Sequence, residues 1–225
     1  MALYDFHTHT PLSDGVISPV ELIRRAIVRG YTALGISDHC GRGGLARVIS
    51  EVSTDCALAS EYWGFPVFAG VELTHVPARS IAALAAEAKA AGAAYVVVHG
   101  ESPVEPVEPG TNLAAASCQE VDILAHSGLL DDESAAAAAA NGVFVEVTAR
   151  PGHNTGNGNI VAVARRHGAS LILSSDSHAP GDLLTPEFAH TVLFGAGLSE
   201  DEIAQVEAHG REMLQRCQAR VQQYL

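Results

Sequence analysis

A chain of 225 residues, 48% of them hydrophobic, has the material for one large α/β domain or two small ones. Its formal charge of −13 disfavours nucleic acid bound through a basic surface, because phosphates are repelled by such a field. Four scattered cysteines (Cys40, Cys56, Cys118, Cys217) form no CxxC pair, which argues against a zinc knuckle or a disulfide framework.

The cysteines read as reduced, buried small residues of a cytoplasmic protein. No apolar stretch approaches a membrane span, and a polar strand end by residue 5 argues against a signal peptide.

The chain opens on a short apolar run, Ala2 to Phe6, followed by His7-Thr-His9-Thr-Pro-Leu-Ser-Asp14-Gly15. Strand side chains alternate between faces, so Asp5, His7 and His9 project to one side. Two imidazoles so placed can converge on one cation. Asp14 and Gly15 turn the chain towards a helix, and Asp14 can aim back at the same place. Ser18-Pro19-Val20-Glu21 announces that helix with an N-cap serine and proline at its first position, and Gly30 ends it.

Thr32 to Ser37 reads as the second strand and delivers Asp38-His39. Leu45 to Trp63 is helical, Pro66 to Val71 is a strand ending on Glu72, and Ser80 to Ala91 is a helix closed by Gly92. Ala94 to Val98 is apolar on both faces, as a buried parallel strand would be, and ends on His99.

Residues 100–110 hold three prolines and three glutamates, which exclude a packed helix or a central strand. They form a long loop, either a lid or a rigid surface excursion, and its acidity disfavours a polyanion nearby. Thr111 caps a short helix over 112–118. Val121 to Ala125 is a strand ending on His126, and a helix spans Asp131 to Ala140.

Val143 to Val147 is the sixth strand, and a Gly/Asn/His loop leads to a helix from Ile160 to His167. That loop either supplies backbone donors to a phosphate or merely connects. Ala169 to Ser174 is the seventh strand, ending on Ser175-Asp176-Ser177-His178, and His190 to Phe194 is a candidate further strand. A capping box, Ser199-Glu-Asp-Glu202, opens a terminal helix interrupted near Gly210.

The repeat of strand, loop and helix fits a barrel or an open sheet. The polar residues decide between them. The strand ends carry His7 and His9, Asp38 and His39, Glu72, His99, His126, Glu146, and Asp176 and His178. Barrel enzymes place their chemistry at that rim, whereas an open sheet gathers it at one switch point. Six histidines with several carboxylates exceed one tetrahedral site and point to two or three clustered divalent transition metals, Zn, Mn or Fe. His75, His153, His167, His190 and His209 lie off the strand ends. His75 and His153 sit in loops that can line the site, with a structural role favoured for His75.

HTHTPLSDG (7–15), SDH (37–39), GVE (70–72), VVHG (97–100), ILAHSG (123–128) and SSDSH (174–178) together resemble the successive motifs of the PHP (polymerase and histidinol phosphatase) domain. The resemblance implies a distorted, TIM-like (β/α)7 barrel, a single domain over 1–225 with a C-terminal helix at 200–223 packed on it. It also implies phosphoesterase activity at a metal cluster on the strand C-termini. Position by position, His7, His9, Glu72 and Asp176 would hold a first metal. Glu72, His99 and His126 would hold a second, and His39 and His178, with Asp14, a third.

Asp176, His178 and Glu72 would be catalytic, around a metal-bridging hydroxide that attacks phosphorus. Asp5 would orient a first-strand histidine and Asp38 would orient His39. Arg150 and Arg42, which can bind phosphate bidentately, and His153 are the substrate-binding candidates. The expected partner is a small phosphorylated substrate such as histidinol phosphate. The alternatives are a nucleotide phosphoesterase or exonuclease-like hydrolase, and a non-catalytic barrel serving as a ribonuclease P subunit, which would be expected to be basic and to have lost ligands.

Overall fold

The strands are short, apolar and almost wholly buried, as β-branched runs with helices on one face and a closed interior on the other must be. The computed structural model describes residues 1–223. In chain order its first half comprises β1 (Leu3–Asp5), α1 (Pro19–Val28), β2 (Tyr31–Ile36), β3 (His39–Cys40), α2 (Leu45–Trp63), β4 (Val67–Leu73), α3 (Ile81–Ala90) and β5 (Tyr95–His99). There follow α4 (Thr111–Ala116), β6 (Ile123–Ala125), α5 (Asp132–Asn141), β7 (Phe144–Thr148), α6 (Asn157–His167), β8 (Leu171–Ser174), α7 (Pro186–Gly195) and α8 (Glu200–Gln222).

All ladders are parallel and the order β1-β2-β4-β5-β6-β7-β8 never reverses, so no switch point forms. The two-residue β3 pairs with β4 beside this path, in the register His39↔Glu72. The ends meet through a parallel bridge, Thr8↔Ser177, in which the His9 N–H donates to the Ser177 carbonyl at 2.8 Å. The result is a nearly closed, TIM-like barrel of seven strands, as the strand-end pattern predicts.

The barrel interior is packed around Tyr95, whose ring meets Phe6 edge-on at 5.7 Å. Space for that ring comes from two glycines. A Cβ at Gly35 would sit 2.3 Å from the Tyr95 hydroxyl, and one at Gly70 2.4 Å from its Cζ. Helix α8 closes the N-terminal end of the barrel, with Met213 and Cys217 joining the interior cluster. Its Gly210 does not interrupt the helix, contrary to the sequence reading. It lets α8 approach β1, because a Cβ there would lie 2.8 Å from Tyr4.

Three further readings are corrected. His190–Phe194 is not a strand but part of α7, because the Thr185 hydroxyl caps the helix by accepting the Phe188 N–H, Pro186 starts it, and Ala189 and Leu193 bury one helical face. Helix α6 starts at Asn157 rather than Ile160, because the Asn157 side chain bonds both the N–H and the carbonyl of Thr148 and ties the helix start to β7. Thr111 is the first residue of α4, not its cap, and its hydroxyl instead donates to the Glu108 carbonyl at 2.7 Å. All four cysteines are free and buried, and among the described residues no helix is long and apolar enough to cross a membrane.

Candidate metal centre

Because the strands are parallel, their C-terminal residues share one rim, and the predicted groups arrive there from separate strands. Glu72, at the end of β4, is at the centre. Its Oε1 lies 3.4 Å from His7 Nε2, 3.1 Å from His99 Nδ1 and 3.5 Å from His126 Nε2. Its Oε2 faces His39 Nδ1 and lies 3.8 Å from His9 Nε2. Asp176 is the second hub, with Oδ1 3.2 Å from His9 Nε2 and 3.8 Å from His7 Nε2, and Oδ2 3.7 Å from His126 Nε2.

Asp14 turns back as the sequence suggests. Its Oδ1 lies 3.4 Å from His39 Nε2 and 3.1 Å from His178 Nε2, although its side chain is half exposed.

Among the described residues five groups of ligand atoms gather within 4.8 Å: His7-His9-Asp176, His7-Glu72-His126, His39-Glu72-His99 and His9-Asp14-His39-His178 around these hubs, and His75-His99-Glu105 beside them. The partition differs in detail from the one the resemblance implies, since His126 converges on Glu72 with His7 and His99 does so with His39. The donor set fits divalent metals. His7 Nε2, both nitrogens of His9, His126 Nδ1, Glu72 Oε2 and Asp176 Oδ1 are buried without a hydrogen-bond partner. Such orphaned lone pairs are costly unless a cation satisfies them.

The backbone is strained where these groups are presented. His126 has φ 26° and Asp176 φ 53°, in the left-handed region that side-chain-bearing residues avoid. Burial opposes the ionisation of Glu72, but the His39 and His7 charges outweigh it and hold the carboxyl well below its usual range. Asp176 behaves likewise, burial being outweighed chiefly by His7. Burial drives His9 down to about 4.

Second contacts differ from expectation. Asp5 accepts the backbone N–H groups of His7 and Ser175, each at 3.2 Å, so it fastens the β1 and β8 ends rather than a ring. Asp38 does not touch the His39 ring through a hydrogen bond. It holds the first loop, accepting from Thr10 N at 2.7 Å, Thr10 Oγ1 at 2.8 Å and Ser13 Oγ at 2.7 Å. The group that orients a first-strand histidine is Glu146, whose Oε2 lies 2.6 Å from His7 Nδ1. The sequence shows Glu146 as a strand-end carboxylate but gives no sign of its partner.

Arg42 is not brought to the rim. It is exposed and pairs with Glu87 at 3.1 Å. Arg150 pairs with Asp182 at 3.4 Å, and the same Asp182 oxygen accepts the N–H groups of His178 at 3.0 Å and Ala179 at 2.8 Å. Its guanidinium is therefore anchored beside the His178 loop. His153 is buried, its ring 4.4 Å from that of His126, with Nδ1 2.6 Å from Ser102 Oγ. Burial and the neighbouring His126 charge lower its pKa to about 4.

The 100–110 loop is tied down by its own carboxylates. Glu101 accepts from Gly110 N at 2.9 Å and Asn112 N at 3.0 Å, and Glu108 from Ala78 N at 2.8 Å. Glu105 reaches inward to His75, His99 and His153. Composition alone does not separate this inward glutamate from the two that fasten the loop.

A profile of the PHP domain matches residues 5–127. An uncharacterized protein of Methanocaldococcus jannaschii is 44% identical over 215 residues, 95% of this chain and 99% of that one. Ribonuclease P protein component 3 of Methanosarcina mazei is 29% identical over 216 residues, 88% of this chain and 82% of that one. A 3',5'-nucleoside bisphosphate phosphatase of Chromobacterium violaceum is 38% identical over 74 residues, 33% of this chain and 23% of that one.

A chain in a solved structure of archaeal ribonuclease P with mature tRNA superposes with a TM-score of 0.70 at 14% identity, over 96% of this chain and 90% of that one, a likeness of fold. With the family profile spanning more than half the sequence and the motif residues gathered on one barrel rim, the chain belongs to the PHP domain family.

Proposed function

We propose that the chain is a metal-dependent phosphoesterase acting on a small phosphomonoester. The observation that carries this reading is the convergence of buried, unpartnered imidazole and carboxylate atoms on Glu72 and Asp176. His7, His9, Glu72 and Asp176 would hold one divalent metal, Glu72 with His99 and His126 a second, and His39, His178 and Asp14 a third. Divalent metals bound there supply Lewis acidity and lower the pKa of water towards neutrality.

The protein's own part is orientation and charge. Glu146 fixes the His7 ring, Asp5 and Asp38 fix the backbone that carries the first motif, and Arg150 offers a planar fork to phosphoryl oxygens. Glu72, Asp176 and His178 would be the catalytic residues of this reading, holding the metals that polarise the phosphoryl group. The family assignment and the local likeness to a nucleoside bisphosphate phosphatase support the reading. The test is a phosphate-release screen over small phosphomonoesters with Mn, Zn and Fe supplied separately. Metal-stimulated turnover lost in His7→Ala and Asp176→Ala variants is expected, and absence of turnover with every metal would refute it.

A second reading, a ribonucleoprotein component, is favoured by the likeness to ribonuclease P protein component 3 over most of both chains. That likeness weighs against the exclusion of nucleic acid drawn from the charge of −13 alone. Retention of the ligand set argues for the enzyme. Electrophoretic retardation of a structured RNA at physiological salt, without phosphatase activity, would favour the component.

A further inference from the structure

Two carboxylates approach the histidines around Glu72 on the side away from it. Glu146 Oε2 takes Nδ1 of His7 and leaves Nε2 facing Glu72 Oε1 at 3.4 Å. Glu105, from the 100–110 loop, stands to His99 in the same relation with the two nitrogens exchanged. Its Oε2 lies 3.1 Å from His99 Nε2, and His99 Nδ1 lies 3.1 Å from the same Glu72 Oε1.

A neutral imidazole carries one proton, and the nitrogen without it is the one that ligates. His99 Nε2 is buried and has no aligned hydrogen-bond partner, so a proton there meets the Glu105 carboxylate after a small turn of either side chain. The lone pair is then on Nδ1 and faces Glu72. Two atoms that ligate one ion at about 2.0–2.1 Å and tetrahedral angles stand roughly 3.3 Å apart. The separation of His99 Nδ1 from Glu72 Oε1, 3.1 Å, is close to that spacing.

Glu105 is itself held in place by two further rings. Its Oε2 lies 2.9 Å from His75 Nε2 and its Oε1 lies 3.4 Å from His153 Nε2. His153 Nδ1 is 2.6 Å from Ser102 Oγ, and a hydroxyl donating there leaves the ring proton on Nε2, aimed at Glu105. Three ring N–H groups thus converge on one carboxylate and satisfy it with no cation among them. Glu101 and Glu108 fasten the backbone of the loop, whereas Glu105 meets the rings.

We propose that Glu105 is a positioning residue of the metal centre: it accepts the His99 Nε2–H and so turns the His99 Nδ1 lone pair towards Glu72. A carboxylate in that place fixes the tautomer of a ligating histidine and raises its basicity. The arrangement also ties the 100–110 loop to the metal held by Glu72 and His99, so that filling the site and seating the loop favour each other. The proposal rests on the metal centre of the phosphoesterase reading, not on the identity of its substrate.

The test uses the full chain and zinc alone, with affinity measured by competition against a chelator and hydrogen exchange followed over residues 100–110. The Glu105 side chain is partly exposed, so Glu105→Ala should keep the fold by circular dichroism. It should weaken one zinc-binding step by about 10–100-fold and abolish the slowing of loop exchange by zinc. Glu105→Gln keeps an acceptor for the ring N–H and should recover part of the affinity. Glu108→Ala removes an anchor of the same loop without touching a ring, and should leave zinc affinity unchanged. Wild-type affinity in Glu105→Ala, or an equal loss in Glu108→Ala, would overturn the positioning role while the metal centre stands. If wild type binds no zinc, the positioning role and the metal centre fall together.

Discussion

Glu146 Oε2 lies 2.6 Å from His7 Nδ1, and neither side chain is exposed to solvent. The contact fixes the tautomer, so that Nε2 is the free nitrogen and faces Glu72 and Asp176. Glu146→Gln keeps the volume and removes the charge. It should weaken metal binding by about 10–100-fold with the fold retained, measured by competition against a chelator. Unchanged affinity would show that something else orients the His7 ring.

Arg150 is bound to Asp182, which also fastens the His178 backbone. If Arg150 holds the phosphoryl group, Arg150→Ala should raise KM by about 10–100-fold, the worth of a charge-assisted hydrogen bond, and leave bound metal unchanged. Arg150→Lys should recover only part of this, because an ammonium cannot reproduce the bidentate fork. Steady-state kinetics beside metal analysis separates this role from a structural one.

Below the rim, Lys89 on α3 is buried against Asp122 at 2.5 Å, and the same carboxylate oxygen accepts the Val96 N–H at 2.8 Å. Removing the carboxylate with Asp122→Ala should cost about 1–3 kcal/mol in urea unfolding, because the buried Val96 N–H loses its acceptor and the ammonium one of its contacts. Adding Lys89→Met should restore part of the loss. Purely additive effects would mean that the pair is not coupled.

The Tyr95 ring depends on the missing Cβ of Gly70. Gly70→Ala should destabilise the barrel by about 1–3 kcal/mol through overpacking. Shortening the ring in a Gly70→Ala, Tyr95→Leu double variant should offset some of that cost. A thermal-unfolding series on the single and double variants checks the coupling.

Much of this architecture is legible in the chain because strand ends are local. The i, i+2 pairs His7/His9 and Asp176/His178 declare a shared face, and the apolar run before each gives the strand. What stays hidden depends on distant packing. The run TVLF after His190 suits strand or helix, and only Thr185-Pro186 upstream tips it to helix. Asp5 and Asp38 stand next to histidines yet bond backbone and loop groups, because the rings turn inward. Glu105 is one of three loop glutamates, and the fold alone decides which one faces the rim.

Anomalous diffraction from zinc-loaded crystals tests the central claim most directly. Peaks are expected among His7, His9, Glu72 and Asp176 and among His39, Asp14 and His178, with more than one ion per chain. Crystals grown with excess zinc that show no anomalous density at Glu72 and Asp176 would contradict it.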